Sequence, residues 1–219
     1  MPSALIIGAS RGIGLGLTSE LIARGWQVVA THRGDAPDLV ATGAQTAVVD
    51  MDDSDSVAAL AAAHAGTQFD HILINAGISS TPTASTTDKD NVTKLFWTNA
   101  VAPIRAARIL LPLVKDGGSI GFMTSILGTV GGRNHAHAEL YSASKAALNS
   151  LTRGFAVQDV GNRDIAVINF HPGWVKTAMG GDGADIDIAT SVKGLATQIE
   201  TVRGPVQRYI DYTGATIPW

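Results

Sequence analysis

The sequence predicts a doubly wound α/β fold, a mostly parallel sheet of six or seven strands with helices on both faces. Short apolar runs of strand length alternate with longer segments of helical spacing along the whole chain, the pattern of parallel strands joined by helical crossovers. The alternation contains no internal repeat and no linker, and 219 residues suit one core better than two. The first apolar run, Ala4-Leu5-Ile6-Ile7, leads directly into the glycine turn Gly8-Ala9-Ser10-Arg11-Gly12-Ile13-Gly14, a strand–turn–helix entry.

Taken in order, residues 3–7 read as a buried strand. Residues 13–24 read as a helix, with Ile13, Leu17, Leu21 and Ile22 at helical spacing and Gly25 as its stop. Residues 26–31 form a second apolar strand, so the chain opens with a β-α-β unit whose crossover is expected to be right-handed. Residues 35–42 hold at most a short helix, 45–49 a third strand, and 54–65 an alanine-rich helix with Ser54 as N-cap. Residues 71–75 make strand four. A long helix is expected from 88 to about 115, kinked at Pro103 and frayed at Pro112. Residues 118–124 give strand five, 139 to about 160 a helix, 165–171 strand six, 186–201 a helix and 209–211 a short last strand. The whole of 1–219 is expected to be one domain. A short lid is expected around 178–200, hinged at Gly180-Gly181-Asp182-Gly183-Ala184.

Composition removes several function classes. A formal charge of −3 without a basic run argues against a nucleic-acid surface and gives no patch that would draw the chain to a membrane. The absence of cysteine excludes disulfides and thiolate metal sites. No apolar run is long enough to span a bilayer. Cleaving a signal peptide would remove the first strand and its glycine turn, so a cytoplasmic protein is expected.

The chemistry is concentrated in Tyr141-Ser142-Ala143-Ser144-Lys145. Four-residue spacing puts Tyr141 and Lys145 on one helix face. A phenol beside an ammonium ion is a usable proton donor and acceptor, because the positive charge favours the phenolate. That suits carbonyl–alcohol chemistry, in which an oxygen gains or loses a proton. Many helices carry a tyrosine and a lysine four apart, so the pair gains weight from the glycine turn, whose amides and following helix N-terminus can hold a pyrophosphate. These two motifs together resemble the short-chain dehydrogenase/reductase family. Asn75-Ala76-Gly77, Ser125 and Pro172-Gly173 follow the family's order too. The short chain and its ending Asp211-Tyr212-Thr213-Gly214-Ala215-Thr216-Ile217-Pro218-Trp219 are similar to the compact C-factor-like and sniffer-like carbonyl reductases.

The resemblance implies a Rossmann fold and hydride transfer between a nicotinamide and a small carbonyl or alcohol substrate. Tyr141 is then general acid and base, and Ser125 holds the substrate oxygen, with Thr124 as fallback. Lys145 grips the nicotinamide ribose and lowers the cost of the phenolate, while Asn99 opens a helix kink that extends the proton path. Gly8, Ser10, Arg11, Gly12, Ile13 and Gly14 would cradle the cofactor. Asp50 and Met51 would meet its adenine, although Asp50 can equally cap a turn. Asn75, Ala76 and Gly77 would lie against a ribose, and Pro172, Gly173, Val175 and Thr177 against the carboxamide and phosphate. Ile7 and Ile74 depart from the family's threonine and asparagine. Trp174 either walls the site or, by default, is buried.

The second strand ends Val28-Val29-Ala30-Thr31-His32-Arg33 with no acid before Asp35. The carboxylate that would repel a 2′-phosphate is therefore missing, while Arg33 and Arg11 could pair with one and His32 stands nearby. NADPH is accordingly expected in preference to NADH. His135 and His137 are candidates for substrate contact, but no third ligand suits a metal site. The family's dimer or tetramer contacts would fall on the long helix and the Tyr141 helix, where Phe96, Trp97, Ile109 and Leu113 offer apolar surface that the core can equally claim. Two alternatives stand beside this reading. One is a non-catalytic cofactor-binding sensor. The other is a serine hydrolase using Ser10 in a Gly-x-Ser-x-Gly elbow, for which the residues before Gly8 leave no room for an oxyanion loop.

Overall fold

The computed structural model describes residues 1–79, 82–131 and 138–219; the candidate histidines at 135 and 137 lie outside the described residues. Among these residues the strands are β1 (Ser3–Ile7), β2 (Gln27–His32), β3 (Gln45–Val48), β4 (Phe69–Ile74), β5 (Val114–Met123), β6 (Ala166–His171) and β7 (Gln207–Asp211). They form one seven-stranded sheet in the order β3-β2-β1-β4-β5-β6-β7, each pair parallel. The helices are α1 (Gly12–Ala23), α2 (Pro37–Ala41), α3 (Ser54–Ala63), α4 (Lys89–Phe96), α5 (Ala102–Leu110), α6 (Glu139–Phe155) and α7 (Ile188–Thr201).

The central strands are apolar along their length because helices cover both faces. Alternation along β1 sends Leu5 and Ile7 into a core with α3, α5 and α6, and Ala4 and Ile6 into a second core with α1 and α7. Gly16 brings α1 and α7 into close contact, since a Cβ there would lie 2.5 Å from Ile188 Cγ2. Arg24 ties the same two helices together by pairing with Glu20 at 2.9 Å and Glu200 at 2.7 Å. Strand order reverses at β1, which has β2 on one side and β4 on the other. A crevice opens beyond the C-terminal ends of strands at such a switch point.

Several expectations are corrected. The N-cap of α3 is Asp53, not Ser54: its shorter-reaching neighbour is replaced by a carboxylate that accepts from the Asp55 amide. The long helix is divided by a π-helical turn, Trp97–Val101, which precedes Pro103 near the start of α5. It ends before Lys115, because a 3₁₀ turn at Leu111–Leu113 containing Pro112 hands the chain to β5. β5 begins at Val114 rather than 118 because Val114 pairs with Phe69, and the register then jumps to Ser119 opposite His71. Of the stretch 178–200 expected as a lid, Ile188–Thr201 is α7 and belongs to the core against α1. Leu113 is buried, and Trp97 and Ile109 pack on the core rather than standing free. No helix among the described residues is long and apolar enough to cross a membrane.

β4 also carries a fully buried histidine. His71 Nδ1 shares a 2.7 Å hydrogen bond with the Ser119 hydroxyl, while Nε2 has no partner. Burial, helped by the charge of Arg203, pushes its pKa down from 6.5 to about 3. Below pH 6.5 the unfolded chain therefore takes up a proton that the folded chain refuses, so stability falls as pH drops from 6.5 towards 3. Urea titrations across this window are expected to show a slope of up to about 1.4 kcal/mol per pH unit from this group. In His71→Asn that component disappears, whatever the absolute stability.

Candidate active site

The glycine turn begins where β1 ends. Gly8 has φ 90° and faces β4 so closely that a Cβ would lie 2.7 Å from that of Ala76. At Gly14 a Cβ would fall 2.3 Å from the Gly8 carbonyl and 2.7 Å from Asn75 Nδ2. The turn is fastened on both sides. Asn75 Nδ2 donates to the Gly8 carbonyl at 2.6 Å, the Asn75 and Ala76 amides donate to Ile7, and the Gly8 amide donates to Thr31 Oγ1 at 3.0 Å. Thr31 and Asn75 thus fasten the turn in a chain that carries Ile7 and Ile74 in place of the family's polar residues. Arg11 and Gly12 open α1 without a side-chain cap, leaving the first amides for a ligand. Backbone cradled this tightly, with free helix amides at its rim, fits a dinucleotide pyrophosphate.

Asn99 lies in the π turn and is fully buried. Its amide pairs with the backbone of Ile78, accepting from the N–H and donating to the carbonyl, each at 2.8 Å, and it also donates to Ser144 Oγ at 3.0 Å. Asn99 therefore joins the segment after β4 to α6. A π turn accommodates an extra residue in the helix, which is how an asparagine of poor helix propensity can face inward here.

Ser125, at the end of β5, starts a short 3₁₀ turn, Ile126–Gly128, and its Oγ accepts from the Leu127 amide at 3.2 Å. The hydroxyl proton remains free to donate, and Ser125 lies near enough to the Tyr141 phenol to draw its pKa down. Lys145 is buried; its Nζ donates to the Met123 carbonyl at 2.9 Å and lies 5.7 Å from the Tyr141 ring centre. The structure thus brings Ser125, Tyr141 and Lys145 together, with Gly77 below: a Cβ there would lie 3.3 Å from Asn99 Oδ1 and 3.4 Å from Lys145 Nζ. Thr124 points elsewhere, donating to Asn149 Oδ1 at 2.8 Å.

Burial pushes the Tyr141 phenol up to about 12, opposed by the bond from Ser125 and reinforced by Tyr209. Burial alone pushes Lys145 down to about 8. At the phenol, burial outweighs the help that the lysine charge was expected to give the phenolate. Desolvation weighs against the charged form of both groups.

The other expected residues spread along the crevice. Arg33 Nη1 stands 4.0 Å from Asp50 Oδ1, both side chains largely exposed at 64% and 48%. Asp50 also accepts from the Asp52 amide at 3.0 Å, so it does close a turn, and Met51 is buried beside it. The His32 ring turns back onto the Gly34 carbonyl. Gly173 has φ 87° and allows Ile186 and Tyr212 to pack against it. Val175 pairs with Ile186, the Pro172 carbonyl accepts from Ser191, and Thr177 Oγ1 accepts from the Gly180 amide at 3.1 Å. A Cβ on Gly12 would lie 3.6 Å from Thr177 Cγ2, so this segment faces the glycine turn. Trp174 is not buried: it is 53% exposed, and its indole N–H donates to the Gly180 carbonyl at 2.9 Å. Ile13 is partly buried against the α1–α7 core. Among the described residues Ser10 has no hydrogen-bonded histidine, and no acidic or histidine cluster suits a metal.

Two residues at the site escaped sequence reasoning. Asn149 accepts from Thr124 and Asn169 and donates to the Gly128 carbonyl at 3.3 Å. The signal was present, since Asn149 continues the four-residue spacing of Tyr141 and Lys145. Tyr209, on β7, donates to the Ser125 carbonyl, a contact that no local pattern marks.

Comparison with known proteins agrees with this geometry. The profile of the short chain dehydrogenase family matches residues 2–185. The chain is 31% identical over 180 residues to 1-hydroxy-2-glutathionyl-2-methyl-3-butene dehydrogenase of Rhodococcus sp. (strain AD45), covering 81% of this chain and 79% of that protein. It is 31% identical to the C-signal protein of Myxococcus xanthus, covering 68% and 92% respectively. Among solved structures, a carbonyl reductase from Pseudomonas aeruginosa PAO1 in complex with NADP superposes with a TM-score of 0.92 at 36% identity, covering all of both chains.

The Asn99 bridge is open to a direct check. Asn99→Ala strands the Ile78 N–H and carbonyl and is expected to cost about 2 kcal/mol in chemical denaturation, the scale of deserted part-buried polar groups.

Proposed function

The chain belongs to the short-chain dehydrogenase/reductase family, and from that premise we propose that it reduces a small carbonyl compound to its alcohol with NADPH. The observation that carries this reading is the convergence of Ser125, at the end of β5, with Tyr141 and buried Lys145 of α6, whose Nζ lies 5.7 Å from the Tyr141 ring centre. Bound nicotinamide would supply the hydride, which is the part of the chemistry side chains cannot provide. The substrate oxygen would accept from Ser125 Oγ–H and Tyr141 O–H, and Tyr141 would give it the proton.

Protonation states are compatible with this direction. With its pKa pushed up to about 12, Tyr141 holds its proton at neutral pH and stands ready to donate. Lys145, pushed down to about 8, is still mostly an ammonium ion there, and stabilises the phenolate left after transfer. The glycine turn and the α1 N-terminus would take the pyrophosphate, Asn75, Ala76 and Gly77 a ribose, and Val175 and Thr177 the carboxamide end. Arg33 would pair with the 2′-phosphate, and the NADP complex of the similar Pseudomonas aeruginosa reductase supports that choice. A cofactor-binding signalling role is kept as a second reading by the likeness to the C-signal protein.

Tyr141→Phe separates the two readings. It is expected to lower NADPH-dependent reduction of aldehydes and ketones by about 10²–10⁴, the range for a lost general acid, while NADPH still binds in fluorescence titration. Turnover equal to wild type would remove the catalytic assignment. Arg33→Ala is expected to weaken NADPH binding about tenfold, a modest loss because the side chain is exposed, and to leave NADH binding unchanged. An unaltered ratio of the two affinities would refute the 2′-phosphate contact.

A further inference from the structure

Ser125 is held from behind by residues distant in sequence. Its carbonyl accepts from the Gly128 amide at 2.8 Å and from the Tyr209 hydroxyl. Tyr209 is fully buried on β7, and a hydroxyl in that place is costly unless it has a partner. A phenylalanine would fill the same space without that demand, so the oxygen marks a task beyond packing. Its ring stands 5.3 Å from that of Trp219, over which lies the Arg153 guanidinium of α6 at 5.0 Å. The segment 216–219 is laid along β7 by the Ile210–Thr216 bridge and the Ile217 amide, which donates to the Tyr209 carbonyl at 2.8 Å.

The same segment reaches the far end of the serine turn. Thr129 Oγ1 donates to the Pro218 carbonyl at 2.8 Å and lies 3.5 Å from the Tyr209 hydroxyl. On the opposite side the turn is pressed onto α6. A Cβ on Gly128 would lie 2.8 Å from Asn149 Nδ2 and 3.0 Å from the Lys145 carbonyl. Residues 125–129 are therefore clamped between the helix that carries Tyr141 and the segment 216–219. The catalytic hydroxyl sits on one side of Ser125 and the Tyr209 contact on the other, at the backbone carbonyl.

We infer that Tyr209, wedged in place by Trp219, is a positioning residue that fixes the Ser125 backbone and so aims its hydroxyl at Tyr141. The inference rests on the carbonyl reductase reading and deepens it. Tyr209 acts on the reaction chiefly through Ser125, beside a smaller electrostatic effect on the Tyr141 phenol. Its loss should therefore lower turnover without loosening the cofactor, whose proposed contacts at the glycine turn, after β4, at Lys145 and after β6 include no hydrogen-bond partner of Tyr209.

The test compares wild type, Tyr209→Phe, Ser125→Ala and the double variant. It measures kcat and KM with the best aldehyde or ketone substrate, NADPH affinity by fluorescence titration, and amide exchange over 125–129. Tyr209→Phe is expected to lower kcat about tenfold, a fraction of the 10²–10³ attached to such an oxygen-stabilising donor. NADPH affinity and KM should stay within about twofold, and the Gly128 amide should exchange faster. In the Ser125→Ala background the same change should cost nothing more, because the two act as a unit. Should Tyr209→Phe not fold, Thr129→Val loosens the same turn and is expected to show the same dependence on Ser125. Undiminished kcat, or a tenfold loss that persists on top of Ser125→Ala, would overturn the inference and leave the reductase reading standing. A wild type without NADPH-dependent turnover on carbonyls would overturn both.

Discussion

A lysine cannot be sealed in an apolar interior without a partner, and for Lys145 that partner is the carbonyl of Met123, 2.9 Å away at the end of β5. This bond fixes α6 against the strand that delivers Ser125. Neither element alone could set the distance between the serine and the tyrosine. The four-residue spacing within α6 settles where Tyr141 stands relative to Lys145, and the bond to Met123 settles where both stand relative to the sheet. Desolvation shifts the pKa of each group against its charged form, so the site rests with a protonated phenol beside an ammonium ion held near its own titration point.

Around that bond the other polar groups of the buried face are arranged so that few lack partners. Asn149 takes bonds from Thr124 and Asn169, and Thr152 accepts from Asn169 at 2.8 Å. Asn99 ties the segment after β4 to Ser144 in the same helix. A buried polar network of this kind is costly when incomplete and rigid when complete. It makes α6 a fixed wall rather than a sliding one, which a reaction that depends on sub-ångström placement of a proton donor requires.

Features governed by short-range rules were legible in the sequence. The β-α alternation, the glycine turn and the Tyr141–Lys145 spacing are all set within one or two turns of chain. The seven-stranded parallel sheet follows from them. What escaped depends on contacts between distant segments. β5 starts at Val114 because Phe69 pairs there, and the register jump absorbs a turn at Gly117 that reads as loop. Trp174 stays at the surface, its indole held by the Gly180 carbonyl six residues on, although a large aromatic is mostly buried on average. Ser54 lost the cap of α3 to its neighbour Asp53, two residues with similar capping preference side by side. The contact of Tyr209 with Ser125 spans 84 residues, beyond the reach of any periodicity.

The strand order has a kinetic consequence. β1 must find β4 across some 67 positions before Asn75 can reach Gly8, and β7 must dock before Tyr209 can reach Ser125. Contacts so far apart along the chain lose loop-closure entropy before they return anything, and chains rich in them cross high folding barriers. The glycine turn leaves the ribosome before β4 and the strands after it, yet gains its binding shape only when they arrive. Until then its amides remain solvated, and the nascent chain offers nothing for a dinucleotide to seize.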